Sequence, residues 1–257
     1  MGTKLKVDNI SFSYYGLKGE TETIKNLSFK VDEGEFIALV GPSGCGKTTL
    51  LSCLAGLLTP TGGSIQIDGK SLSETNVKIG YMHQKDLLFD WRDNYKNIAL
   101  SIEIDPSDKE SKTGRIAELL EAYDLKDFSR RYPSGLSGGM RQRVALIRTL
   151  ISNPDILLLD EPFSALDFQT RLEVSDDIYR VIRKQNKTAI LITHDIEEAI
   201  SMADKILILS RRPATVTEEV EISLTVDERT PFTARDAPEF TGYFHHIYKE
   251  LKNGERN

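Results

Sequence analysis

Residues 41–48 read Gly41-Pro42-Ser43-Gly44-Cys45-Gly46-Lys47-Thr48 and fit the spacing G-x-x-x-x-G-K-[ST]. They follow the apolar run Phe36–Val40 and precede Leu50, Leu51, Leu54 and Leu58 at helical spacing. That is the strand–loop–helix setting the motif requires. Its glycines let successive backbone N–H groups turn toward phosphate oxygens, and the helix start adds its free N–H groups and positive dipole end. Lys47 is placed to reach β- and γ-phosphates, the Thr48 hydroxyl to bind Mg²⁺, and Thr49 extends the cradle. A glycine-rich turn that binds nothing is the bland alternative. The Lys-Thr pair and the flanking elements outweigh it, so the segment is predicted to bind a nucleoside triphosphate.

Three further runs end in polar groups suited to hydrolysing one. Ile156–Leu159 leads into Asp160-Glu161. Asp160 fits a carboxylate that holds Mg²⁺, and Glu161 a general base for the attacking water. Lys78–His83 leads into Gln84, and Thr188–Thr193 into His194. Ligands of open α/β sheets bind outside the carboxyl ends of the strands. Lys47, Gln84, Asp160, Glu161 and His194 are therefore expected at one edge. His83, His245 and His246 lack such company and read as structural or surface residues.

A second anion-reading helix start appears at Leu136-Ser137-Gly138-Gly139-Met140. Ser137 can cap the helix, the glycines bare its N-terminus, and Arg141, Arg143 and Arg148 follow. One phosphate loop has no need of a second such helix in the same chain. A dimer in which it faces the partner's nucleotide removes the difficulty.

The elements that must carry these residues follow from pattern. The chain has 257 residues, 33 basic and 39 acidic side chains, and a formal charge of −6. Net acidity argues against a general nucleic-acid binder. The longest apolar run, Phe36–Val40, falls far short of the roughly 20 residues of a spanning helix. The start, MGTKLKVDN, shows no signal-peptide pattern, and Lys6 stands where a myristoylation motif wants Ser or Thr. Two cysteines, Cys45 and Cys53, imply a reducing setting.

Leu5–Phe12 and Ile24–Val31 read as half-buried strands, with a turn at Asp32-Glu33-Gly34. Phe36–Val40, Ile79–Met82, Ile156–Leu159, Ala189–Ile192 and Ile206–Leu209 read as strands, the first covered on both faces. Helices are expected over Lys47–Leu57, Pro106–Tyr123 (started by Asp105-Pro106), Gly138–Ile151 and Phe168–Lys184. The fold class is α/β with a mainly parallel sheet, an N-terminal antiparallel β part and a helical subdomain at about 85–152 inserted in the core. One domain is expected over 1–230 and a short extension over 231–257, with a helix at Asp236–Leu251 packed on the core. About 45 residues follow Arg212, too few for a regulatory domain of ordinary size.

The set GPSGCGKT, Gln84, LSGGM, ILLLDE, Ser164-Ala165-Leu166-Asp167 and His194 resembles the ATPase subunit of an ATP-binding cassette (ABC) transporter, over about Leu5–Arg212. The resemblance implies two such subunits closing head to tail on two ATP molecules with Mg²⁺. Ser137, Gly138 and Gly139 would contact the γ-phosphate in trans, and Asp167 would cross the interface. Gln84 would link Mg²⁺ and water to the membrane subunits, and His194 would hold the γ-phosphate. An early aromatic stacks on adenine in this family. Tyr14 matches by position, with Tyr15 adjacent. The commonest signature ends in Gln, which Met140 replaces, removing a hydrogen-bonding group.

LSGGMRQRVALIRTL, DEPFSALD, THDIEEAISMADKILILS with RRPATV, and Leu87-Leu88 with Trp91 resemble the nitrate/sulfonate/taurine branch of bacterial importers. That branch implies two transmembrane permease subunits, an extracytoplasmic solute-binding protein, no nucleic acid, and a place on the cytoplasmic face of the membrane. Trp91 reads equally as a core aromatic or as part of the permease contact. Cys45, at a helix N-terminus, is a candidate thiolate if accessible and otherwise an inert small residue. A soluble ABC ATPase of DNA repair or ribosomes is the rival reading. Such proteins usually join two cassettes or insert coiled coils, and this chain has one cassette and no heptad run. A scaffold without turnover would not need Glu161 and His194.

Overall fold

The structure is a computed structural model describing residues 2–17, 19–104, 106 and 109–254. Two long strands, β1 (Thr3–Gly16) and β2 (Gly19–Asp32), open the chain as an antiparallel pair. Strand β3 (Phe36–Val40) leads through the glycine loop into α1 (Lys47–Leu54). Strands β4 (Gly62–Ile67) and β5 (Lys70–Ser71) then join β1, giving an antiparallel sheet of order β2-β1-β4-β5. The expected helix over Lys47–Leu57 stops early because Gly56 takes a left-handed φ of 72° that ends the turn.

After β6 (Ile79–Met82) the chain leaves the sheet through α2 (Asn94–Ile98), α3 (Leu100–Ile104), α4 (Lys109–Ala122) and α5 (Gly138–Leu150). Residues 83–155 contain no strand among those described. The expected helix start at Asp105-Pro106 lies largely outside the described residues, and the described helix begins at Lys109. The chain returns as β7 (Ile156–Asp160), which pairs in parallel with β6.

The remaining elements are α6 (Phe168–Lys184), β8 (Thr188–Ile192), α7 (Ile196–Met202), β9 (Lys205–Leu209), β10 (Val216–Glu221) and α8 (Phe240–Gly254). The second sheet has the order β10-β9-β3-β8-β7-β6, parallel throughout except for the edge strand β10. Asp236–Leu251, expected as a helix, instead begins with a short 3-10 turn at Thr233–Asp236, and α8 starts only at Phe240.

Alternation along the central strands explains why they sit in the middle. Phe36, Ala38, Val40, Leu157, Leu159, Ala189 and Leu191 face the core built by α5, α6 and α7. Ile37, Leu39, Ile156, Leu158, Ile190 and Ile192 face the other core, under α1 and the antiparallel sheet. With both faces covered, every position of these strands can be apolar. The loop between β9 and β10 ties the two sheets together, since Lys25 N–H of β2 donates to the Ala214 carbonyl at 3.1 Å and Ala214 N–H to the Thr23 carbonyl at 2.8 Å.

Candidate functional site

Strand order delivers the chemistry. The glycine loop follows β3, His194 follows β8, Asp160 and Glu161 end β7, and Gln84 follows β6. These four strands are consecutive neighbours in the sheet, so their carboxyl ends form one edge.

In the loop, Gly46 has a φ of 127°, and a Cβ there would lie 3.0 Å from Thr23 Cγ2 and 3.1 Å from the Thr23 carbonyl oxygen. Only glycine fits. Lys47, nearly buried, donates from Nζ to the carbonyls of Gly41 at 2.7 Å and Pro42 at 3.0 Å. The ammonium is thus held inside the curl of the loop. Arg212 reaches in from beyond β9 and donates to the Gly44 carbonyl at 2.7 Å. Cys45 is buried, and burial pushes its thiol pKa up despite nearby Lys47. Of the two readings of Cys45, this enclosure favours the inert small residue over the thiolate, because desolvation outweighs the dipole there.

Thr48 Oγ1 donates to Asp160 Oδ1 at 3.3 Å, and the Tyr81 hydroxyl to Asp160 Oδ2 at 3.4 Å. Burial raises the Asp160 carboxyl above the usual range, with these two bonds opposing it. A hydroxyl beside a buried carboxylate is a hard-oxygen donor pair, which suits Mg²⁺. Among the described residues no group of three or more His, Cys, Asp and Glu side chains could hold a metal.

Glu161 takes a left-handed φ of 45°, a costly conformation for a side-chain-bearing residue. Its N–H bonds the Ile192 carbonyl of β8 at 2.9 Å. This turns its carboxylate across the strand ends, where Oε2 accepts from Gln84 Nε2 at 3.1 Å and lies 3.3 Å from His194 Nδ1. Gln84 Nε2 is also 3.4 Å from Ser164 Oγ. Three residues expected to cooperate from the sequence therefore meet on one oxygen atom. In the sequence only its place in the Ser164–Asp167 motif marks Ser164.

Tyr14 and Tyr15 lie on opposite faces of β1. The Tyr14 hydroxyl is 3.2 Å from Thr49 Oγ1, at the head of α1, whereas Tyr15 turns to Glu20. Tyr14 is therefore the aromatic beside the phosphate loop. Trp91 is 75% exposed and stacks loosely on Phe89, so the core reading of Trp91 is overturned. His246 pairs with Glu218, away from this edge as expected, but His83 stacks on Tyr81 at the same strand end as Gln84 and lies close enough to Asp160 to act on its carboxyl, so the expectation that His83 lacks such company is corrected.

The second helix start is built as the sequence implies. Ser137 caps α5 by accepting from Met140 N–H at 3.3 Å. A Cβ on Gly139 would lie 2.4 Å from Thr170 Cγ2 of α6, so the glycine permits a close helix contact. Among the described residues no hydrogen bond joins Ser137, Gly138 or Gly139 to the phosphate loop, Asp160, Glu161 or His194. The arginines of α5 are not free to read an anion. Arg141 forks onto Asp86 at 2.7 and 3.1 Å, Arg143 pairs with Asp177, and Arg148 donates to the carbonyls of Asp86 and Leu87. Arg141 and Arg148 instead fasten the segment after Gln84 to α5, and Arg143 ties α5 to α6. Asp167 caps α6 by accepting from Thr170 N–H, a bond that holds its carboxyl below the usual range.

A parallel sheet with this loop, metal pair and carboxylate defines a P-loop nucleoside triphosphatase. The ABC transporter family model matches residues 24–164. The chain is 44% identical to the "Uncharacterized ABC transporter ATP-binding protein YtlC" of Bacillus subtilis, over 98% of this chain and 97% of that one. It is 35% identical to the nitrate import ATP-binding protein NrtD of Synechocystis, over 98% and 96%. Identity is also 35% to the aliphatic sulfonates import ATP-binding protein SsuB of Bacillus subtilis, over 99% and 96%. A solved dimer of the ATP-binding cassette MJ0796, in a post-hydrolysis state with ADP and Pi, superposes with a TM-score of 0.75 at 29% identity, over 85% of this chain and 99% of that one. The chain belongs to the ATP-binding subunits of ABC transporters, ATPases coupled to transport. No helix among the described residues is long and apolar enough to cross a membrane.

Proposed function

We propose that this chain is the ATP-driven motor of an importer for a small solute of the nitrate or sulfonate kind. It works as a dimer on the cytoplasmic face of the membrane, under two permease subunits fed by an extracytoplasmic binding protein. The reading rests on two helix starts of the kind that suit phosphate, at Lys47 and at Gly138, which no hydrogen bond joins among the described residues. Two copies closing head to tail place Ser137, Gly138 and Gly139 of one on the γ-phosphate held by the loop of the other, with Asp167 between them. The full-length relation to the nitrate and sulfonate import proteins supports the importer branch.

Within each site residues 41–49 cradle the phosphates, Lys47 exchanging its loop carbonyls for β- and γ-phosphate oxygens. Tyr14 stacks on adenine. Mg²⁺ at Thr48 and Asp160, with Gln84 nearby, would screen the phosphate charge. Glu161 takes the proton of a water whose oxygen attacks the γ-phosphorus. The bond to the bridging oxygen breaks, and its electron pair leaves with ADP, neutralised by Lys47. His194 holds the γ-phosphate in line. Closure on ATP moves the permeases and hydrolysis reopens the dimer. Gln84, the half-buried Phe89 and the exposed Trp91 form the coupling surface. The test is to trap Glu161→Gln with ATP in native cells and identify co-purified proteins. A multi-span permease is expected, whereas ribosomal or DNA-repair proteins without a membrane partner would overturn the reading.

A further inference from the structure

Two arginines span the same pair of elements. Arg171, in the first turn of α6, donates from Nη1 to Asp195 Oδ2 at 3.0 Å and from Nη2 to the Leu166 carbonyl at 3.1 Å. Asp195 follows His194 and caps α7, its Oδ1 accepting from the N–H groups of Glu197 and Glu198. Leu166 precedes Asp167. Arg235, from the C-terminal segment, pairs with Glu197 in the first turn of α7. Its guanidinium also lies 5.7 Å from the centroid of the Phe168 ring. Each arginine thus has one contact on the helix behind His194 and the other beside Asp167.

The His194 segment is itself stiff. The Thr193 hydroxyl donates to the buried Glu198 and accepts from Asp195 N–H at 3.0 Å. A displacement at His194 is therefore passed to Asp195 and not absorbed between them. The planar fork of Arg171 fixes direction as well as distance. Packed elements of this kind change arrangement together.

We infer that Arg171 and Arg235 are positioning residues that couple the His194 loop to the Asp167 turn, so that each composite nucleotide site senses the state of the other. This rests on the dimer proposed above, in which His194 serves the nucleotide held by its own chain and Asp167 lies toward the other. It also gives the C-terminal segment a part in hydrolysis that no motif marks.

The test measures ATP hydrolysis against ATP concentration for the full-length protein, Arg171→Lys and Arg235→Lys. Lysine keeps the charge but offers one ammonium that cannot hold both contacts. The wild type is expected to be cooperative. In Arg171→Lys kcat falls about tenfold, within what a small misplacement of a catalytic group costs, while KM changes less than about twofold. In both variants the Hill coefficient falls toward 1, with a smaller loss of rate in Arg235→Lys. A coefficient of 1 in the wild type, or one unchanged in both variants, overturns the inference, and Arg235→Lys decides alone if Arg171→Lys does not fold. ATP-dependent dimerisation of Glu161→Gln is measured in parallel. If that dimer fails to form, the underlying reading fails and the inference falls with it. If it forms and cooperativity survives both variants, only the coupling role is lost.

Discussion

Glu161 Oε2 lies 3.3 Å from His194 Nδ1, and the same oxygen accepts from Gln84. The carboxylate proposed as general base is thus positioned by side chains from the two flanking strand ends, those of β6 and β8. Glu161→Gln is expected to keep ATP affinity while turnover falls by roughly 10²–10⁴, the usual worth of a positioned base. An ATP-bound dimer should accumulate on size exclusion. Undiminished hydrolysis would remove Glu161 from the role.

Cys45 is expected to resist alkylation in the folded protein with or without ATP, because it is enclosed under the loop and burial disfavours its thiolate. Labelling followed by mass spectrometry should become complete only in denaturant. Rapid, ATP-sensitive labelling of the native protein would contradict the enclosed position.

Glu198 is fully buried, and burial pushes its pKa up to about 8, with Asp195 and Glu161 adding to the rise and Thr193 and Arg171 opposing it. Between the ordinary glutamate range and about 8, the native protein keeps a proton that the unfolded chain releases. Its contribution to stability is therefore present at low pH and lost as pH rises through that window, with a slope of at most about 1.4 kcal/mol per pH unit. Glu198→Gln should flatten this slope. Denaturant melts at pH 6 and pH 8 measure it, and equal slopes in variant and wild type would mean that Glu198 is ionised throughout.

Gly139→Ala should destabilise the protein by roughly 1–3 kcal/mol through overpacking, since the new methyl would sit 2.4 Å from Thr170 Cγ2. Adding Thr170→Ser deletes that methyl and should restore the melting temperature. No rescue would place the clash elsewhere.

The central strands were legible because continuous apolar runs have no other stable home than a sheet covered on both faces. Strand β10 was not, since VTEEVE is a polar edge strand with Thr217, Glu219 and Glu221 exposed, and β4 and β5 carry glycine and serine. The site was legible wherever chemistry depends on local spacing, as in residues 41–48 and Asp160-Glu161. Arg171, Arg235 and Glu198 escaped notice because their partners come from distant segments and leave no periodic trace. Cys45 stayed open between thiolate and inert residue for the same reason, its local helix dipole being visible in the sequence and its enclosure not.

Strands β6 and β7 are hydrogen-bonded neighbours, yet residues 83–155 run between them. Departure and return points lie side by side, so lengthening this excursion adds only a slowly growing loop-closure cost and leaves the spacing of Gln84 and Glu161 untouched. The helical region is consequently the part of the chain that can be lengthened, shortened or exchanged to suit a different permease, while a one-residue change inside β6 or β7 would move the catalytic edge itself.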